Sequence, residues 1–218
     1  MKIDLIQHVA FEEPAAINDW VKERGHQLVL HQLYRGDQVP NGDEIDFLIM
    51  LGGPMSANDP EPYWLEEERQ LIKQLISMKK PILGICLGAQ QIVKALGGEV
   101  FIGKEREAGW FPVTDLRTNQ EYLVFHWHQE QFTLPNGSTR LYTNPATLNQ
   151  GFRYQDHVIG LQFHLESTIE SILILLEQDQ AFLEPSLYVQ SAAEILQQSI
   201  PHDNKQLLFY WLDNLATR

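Results

Sequence analysis

A lone cysteine, Cys86, stands between Gly84 and Gly88 in the run Pro81-Ile82-Leu83-Gly84-Ile85-Cys86-Leu87-Gly88-Ala89-Gln90. The apolar residues before it read as a short buried strand, and Gln91-Ile92-Val93-Lys94-Ala95-Leu96 after it carries apolar residues at helical spacing. A nucleophile flanked by glycines at this spacing marks a sharp strand-to-helix elbow, because glycine tolerates the strained turn and the close packing around it. A thiol so placed sits at a helix N-terminus, where the partial positive charge favours thiolate. The Leu87 N–H, one residue on, is positioned to meet an oxyanion forming beside the sulfur. A second such donor is Gly53, in Gly52-Gly53-Pro54-Met55-Ser56-Ala57-Asn58-Asp59-Pro60, where paired glycines end another apolar run and let a ligand approach the backbone.

A cysteine nucleophile needs a base, and the base needs a group to orient it. Among eight histidines, His164 in Gly160-Leu161-Gln162-Phe163-His164-Leu165-Glu166-Ser167 is the candidate, since it ends an apolar strand. Glu166, two residues on, can hold the imidazole and stabilise its charged form. His8 and His31 fall in early strands and read as packed or partly exposed. His26, His157 and His202 fall in polar turns and read as solvated. The histidines show no H-x-x-x-H or cysteine-rich ligand spacing, so neither a metal nor another cofactor is called for.

The elements that must carry these residues alternate. Lys2 to Val9 reads as a strand, followed by a helix with Pro14 in its first turn and its end near Gly25. Gln27 to Leu33 is a second strand and Tyr34 to Gly42 a polar loop. Ile45 to Leu51 is a third strand, apolar enough to be buried on both faces. Trp64 to Met78 is an amphipathic helix, with Glu66-Glu67-Glu68 read as one solvated face. The Ile82–Ile85 strand, the elbow and a helix to Leu96 come next, closed by Gly97-Gly98. This alternation predicts an α/β fold, a mostly parallel open sheet with helices on both faces. Ligand sites of such sheets lie at the carboxyl ends of the strands, where Gly53, Cys86 and His164 all fall. From Glu99 to Phe163 the pattern changes to short strand-like runs: Gly109–Leu116, Tyr122–Trp127, Gln131–Leu134, Arg140–Thr143, Asn149–Arg153 and Val158–Phe163. These predict antiparallel hairpins extending the sheet. From Thr168 onward the chain reads as helical, with Ser171 to Leu176 packed on the sheet and further helices over Leu187–Gln198 and Asn204–Leu215.

The 218 residues suit one domain, residues 1–218, with a C-terminal helical extension from about residue 180. The formal net charge of −13 disfavours nucleic acid and anionic membrane as partners. No apolar run is long enough to span a bilayer. One cysteine permits no internal disulfide, which fits a reducing, cytoplasmic setting.

Three motifs in this order, Leu51-Gly52-Gly53-Pro54-Met55-Ser56, the Cys86 elbow and Gln162-Phe163-His164-Leu165-Glu166, resemble the class I, triad-type glutamine amidotransferases. The likeness is greatest to their stand-alone branch, similar to the amidotransferase domain of GMP synthase, and runs from the first strand to the helix after Glu166. It implies a flavodoxin-like sheet, with Cys86 as nucleophile, His164 as base, Glu166 as orienting acid, and the Gly53 and Leu87 amides as the oxyanion hole. It also implies that Gln90 contacts the amino-acid end of bound glutamine. The segment Phe125-His126-Trp127-His128-Gln129-Glu130-Gln131-Phe132 resembles the family loop whose backbone grips that same end. Many relatives read His-Gly-Asp where this chain has His128-Gln129-Glu130, and Leu165 stands where relatives carry proline. Glu107 and Gly109-Trp110 resemble an E-x-G-W signature of the stand-alone branch.

The chemistry expected is hydrolysis of a γ-glutamyl amide through a Cys86 thioester. Glutamine is the default substrate, with its ammonia passed to an unidentified acceptor; as the chain holds no P-loop or synthetase region, either a synthetase partner supplies that acceptor site or there is none. Two alternatives stand beside it: a γ-glutamyl peptidase or hydrolase acting on γ-glutamyl peptides or amines, and a non-enzymatic binding protein on the same fold.

Overall fold

The computed structural model describes residues 1–217. Among them, nine strands form one sheet: β1 (Lys2–Gln7), β2 (Gln27–Gln32), β3 (Phe47–Met50), β4 (Ile82–Ile85), β5 (Val100–Asp115), β6 (Gln120–Phe132), β7 (Ser138–Thr143), β8 (Gly151–Tyr154) and β9 (Val158–Leu161). Their order is β2-β1-β3-β4-β9-β8-β7-β5-β6. The first five in that order pair in parallel, and β9 onward pair antiparallel. The fold is therefore α/β with an antiparallel extension.

Six α-helices accompany the sheet: α1 (Ala16–Glu23), α2 (Trp64–Ser77), α3 (Leu87–Ala95), α4 (Ile169–Gln178), α5 (Ala192–Gln197) and α6 (His202–Ala216). Alternate residues of each parallel strand enter opposite cores, as the period of two requires. Ile3, Leu5, Phe47, Ile49, Leu83 and Ile85 meet α1 and α6. Ile6, Leu48, Met50 and Ile82 meet α2 and α3. A third cluster packs Ala108, Trp110, Phe125 and Trp127 of the hairpin against α4 and α5. No helix among the described residues is long and apolar enough to cross a membrane.

Several expectations need correction. β5 begins at Val100, not Gly109, because Lys104, Glu105 and Arg106 hide the strand behind charge, and its ladder with β6 is irregular between Ile102 and Glu107. Gln131–Leu134 is no separate strand; its first residues end β6, so the segment from Phe125 to Phe132 is strand and not loop. The helix expected over Leu187–Gln198 shrinks to α5. Ser191 caps it through a reciprocal box with Glu194, while Tyr188 and Gln190 run extended against Ala108. Glu68 is no part of a solvated face, since it is fully buried against His8 and Gln91. His157 is likewise buried, not solvated.

Candidate active site

The carboxyl ends of β3, β4 and β9 meet at Cys86. Its backbone φ is 51° and ψ −108°, a left-handed value that costs a non-glycine residue on the order of 1–3 kcal/mol and persists only where its surroundings enforce it. Two glycines enforce it here. A Cβ on Gly84 would lie 2.5 Å from the Gly88 carbonyl, and one on Gly88 would overlap the Met50 carbonyl oxygen. The Cys86 N–H donates to the Leu161 carbonyl at 2.8 Å, which locks the elbow to β9.

That lock also brings in the histidine. Three residues beyond Leu161, the His164 N–H donates to the Phe125 carbonyl at 2.9 Å. The Nδ1–H donates to Glu166 Oε1 at 2.7 Å, leaving Nε2 buried with no regular hydrogen-bond partner among the described residues. The Glu166 carbonyl in turn accepts from Ala16 at the start of α1. Burial alone would depress the His164 imidazolium, but the Glu166 carboxylate and the neighbouring Cys86 sulfur outweigh it, so the ring holds its proton well above the ordinary histidine range. Burial pushes the Cys86 thiol up, and His164 opposes that rise. The structure thus brings together the three side chains that the sequence separates by 80 residues.

The Leu87 N–H favours the Cys86 thiolate. Gly53 is oriented by a residue that the sequence reading passed over. His8, fully buried, lies with Nδ1 2.9 Å from the Gly52 carbonyl and Nε2 2.7 Å from Glu68 Oε1, and stacks on Trp64. In a trans peptide the C=O and the following N–H point opposite ways, so a Gly52 carbonyl turned to His8 aims the Gly53 N–H away from it. Gln162 donates to the Cys86 sulfur at 3.6 Å and accepts from Gln90 at 3.3 Å.

Cys86, Gly53, Gln90, His128, Gln129 and Glu130 all line one cleft of about 590 Å³. The last three spend their side chains on the protein. His128 faces Glu107, Gln129 accepts from Arg106, and Glu130 accepts from Ser56. In the backbone, Gln129 falls at the register break between β5 and β6, while the Glu130 carbonyl faces His128 Nδ1. Burial drives the ring of His126 down to about 4 despite the attraction of Glu107. Beyond the expected residues the cleft is lined by Glu12, Asp179 and Phe182. Glu12 makes no hydrogen bond among the described residues. Burial pushes its carboxyl up, partly offset by His164. It follows the first strand's carboxyl end, which is a positional signal for it. Asp179 and Phe182 follow α4 and give no signal in the sequence.

A family model described as glutamine amidotransferase class-I matches residues 15–174. The glutamine amidotransferase-like protein YfeJ of Salmonella typhimurium is 30% identical over 234 aligned positions, covering 99% of this chain and 98% of that protein. The GMP synthase (glutamine-hydrolyzing) of Helicobacter acinonychis is 32% identical over 127 positions, 55% of this chain and 24% of that protein. Among solved structures, a glutamine amidotransferase from Methylobacillus flagellatus superposes with a TM-score of 0.88 at 28% identity, covering 99% of this chain and 92% of the other. One from Thermotoga maritima gives 0.85 at 29% identity, covering 100% and 99%.

Proposed function

The chain belongs to the class-I glutamine amidotransferase family, and we propose that it hydrolyses the γ-amide of glutamine through a thioester on Cys86. The observation that carries this reading is the His164 ring, held by Glu166 on one nitrogen and with no regular hydrogen-bond partner on the other among the described residues, beside a sulfur on a strained elbow. The Cys86 thiolate attacks the side-chain carbonyl carbon, and the carbonyl electrons move onto oxygen. The Gly53 and Leu87 N–H groups receive that oxyanion, each such donor being worth roughly 2.7–4 kcal/mol. The C–N bond breaks as His164 gives its Nε2 proton to nitrogen, and ammonia leaves. His164 then takes a proton from water, the hydroxide adds to the thioester, and the C–S bond breaks to release glutamate. Gln90 and the backbone of His128, Gln129 and Glu130 hold the amino-acid end. The ammonia acceptor lies on a synthetase partner. The chain works as one domain in a reducing compartment that keeps the thiol free.

A second substrate class, γ-glutamyl peptides or amines, is favoured by the size of the cleft and by Glu12, Asp179 and Phe182 beyond the reacting atoms. One assay tests both. The isolated protein is given glutamine and a γ-glutamyl dipeptide, with glutamate and the released amine as readouts. Cys86→Ala should abolish turnover of whichever is used, a loss of at least about 10⁴-fold. Unchanged turnover in that variant would overturn the mechanism, and failure of a glutamine-derived electrophile to label Cys86 would favour a binding protein.

A further inference from the structure

Away from the cysteine, β5 and β6 bury Glu107, His126 and His128 together. Residues at i and i+2 of a strand share a face, so His126 and His128 project to the same side of β6. Glu107 is the cross-strand partner of His128, and Gly109 is that of His126. The carboxylate is therefore beside one ring and diagonal to the other.

The outer nitrogen of each ring faces a backbone carbonyl: His126 Nε2 lies 3.3 Å from the Phe111 oxygen, and His128 Nδ1 lies 3.2 Å from the Glu130 oxygen. Protons on these two outer nitrogens leave the inner ones, Nδ1 of His126 and Nε2 of His128, with lone pairs turned inward. Those inner atoms are 3.4 Å apart. Glu107 Oε1 lies 3.6 Å from the first and Glu107 Oε2 lies 3.3 Å from the second. One donor atom from each of the three residues lies within 4.8 Å of the others, the spacing of atoms that can share one ion. Fixing the outer N–H of a ring on a carbonyl is also how metal-binding histidines are oriented. The carboxylate is oriented in turn by Asn144, Thr147 and Gln150 at 2.5, 2.6 and 2.8 Å. The same Gln150 amide carries a buried oxygen with no partner among the described residues.

We propose that Glu107, His126 and His128 form a closed structural site for a zinc-type divalent cation, separate from the reacting thiol. Such an ion would tie β5, β6 and the 144–150 turn together beneath the Gln129–Glu130 wall of the cleft. Spacing rules for helices and cysteine clusters pass over it because its ligands lie on two paired strands.

The test uses tag-free full-length protein, stripped with chelator, equilibrated with Zn²⁺ or Co²⁺ and passed through a desalting column. The expected result is about one equivalent retained, a raised Tm and, with Co²⁺, the visible absorption of a low-coordinate N/O site. Cys86→Ala should keep the ion, while Glu107→Gln and His126→Gln should retain less than about 0.1 equivalent. Wild-type protein that retains no metal and shows no shift in Tm would overturn the proposal, leaving the three groups to share protons alone. So would an ion that Cys86→Ala loses, or one that Glu107→Gln keeps. The wild-type measurement decides the matter even where a variant does not fold.

Discussion

The Glu166 carboxylate has two effects on His164, and they can be separated by substitution. It accepts the Nδ1 proton, which fixes the tautomer, and its charge favours imidazolium. Glu166→Gln keeps the shape and removes the charge. The ring then gives up its proton at lower pH, so the falling limb of the kcat/KM profile should move toward neutrality, and the rate should drop by about 10²–10⁴. An unmoved limb would show that Glu166 does not govern the ring. Glu12 acts with the opposite sign on the sulfur. Its negative charge raises the Cys86 thiol, so Glu12→Gln should increase the thiolate fraction and speed alkylation by iodoacetamide at pH 7 by a few-fold. A slower reaction would mean that Glu12 supports the thiolate through an arrangement that the resting state does not adopt. Cys86, His164 and Glu166 were legible because each sits at a strand end beside a marked neighbour: glycine, a carboxylate two residues on, a switch to helix. Glu12 and His8 carry no such neighbour; Glu12 has only its place after the first strand, and what each does follows from what the sheet sets beside it.

At the scale of elements, the turn between β4 and α3 is a packing requirement as much as a chemical one. An Ala at Gly88 must push its methyl into the Met50 carbonyl, and backbone cannot yield as a side chain would. Gly88→Ala should cost about 2–4 kcal/mol, read as a large fall in Tm. Gly97→Ala, which closes α3 at a φ of 79° with open space around it, should cost only about 1 kcal/mol. Comparable losses would place the constraint in φ and not in crowding. The His8–Glu68 pair ties the end of β1 to α2 and has its own pH signature. Both ring nitrogens face acceptors, and although burial opposes the charge, Glu68 raises the ring above the ordinary histidine value. The folded chain then keeps a proton that the unfolded chain releases. This stabilisation is complete below about pH 6.5 and is lost as pH rises through the raised folded value. Glu68→Gln should lower Tm most at pH 6 and flatten its decline toward alkaline pH. It should also lower kcat more than it raises KM, because the Gly53 amide loses its orientation. Reading Glu66-Glu67-Glu68 as one polar face missed this pair, since the helical period puts Glu68 inward and composition does not.

Over the whole molecule, β9, which the sequence placed among the antiparallel hairpins, pairs in parallel with β4, but the rest of the parallel half was legible because its strands are short apolar runs beside glycine or helix signals. The antiparallel half was not. β5 and β6 form one long hairpin, and the charged residues within β5 look like loop until the partner strand is supplied. The C-terminal helices pose the sharper question, whether they form an appendage or part of the core. α6 buries Leu207, Leu208, Trp211 and Leu212 against the same sheet face as α1. Trp211 donates to the Tyr142 hydroxyl at 2.9 Å and lies under the Arg117 guanidinium, while Asp213 binds Trp20 and Arg24 of the α1 region. If α6 belongs to the core, Trp211→Ala should destabilise the chain by about 3–5 kcal/mol in a single transition, and Trp211→Phe, which keeps an aromatic ring but leaves the Tyr142 hydroxyl with Arg117 as its donor, by about 1–2 kcal/mol. Hydrogen exchange should then quicken together in α6, α1 and β1, since their amides would open through the same global unfolding. An appendage behaves otherwise: exchange would quicken in α6 alone, and the main melting transition would stay where it was.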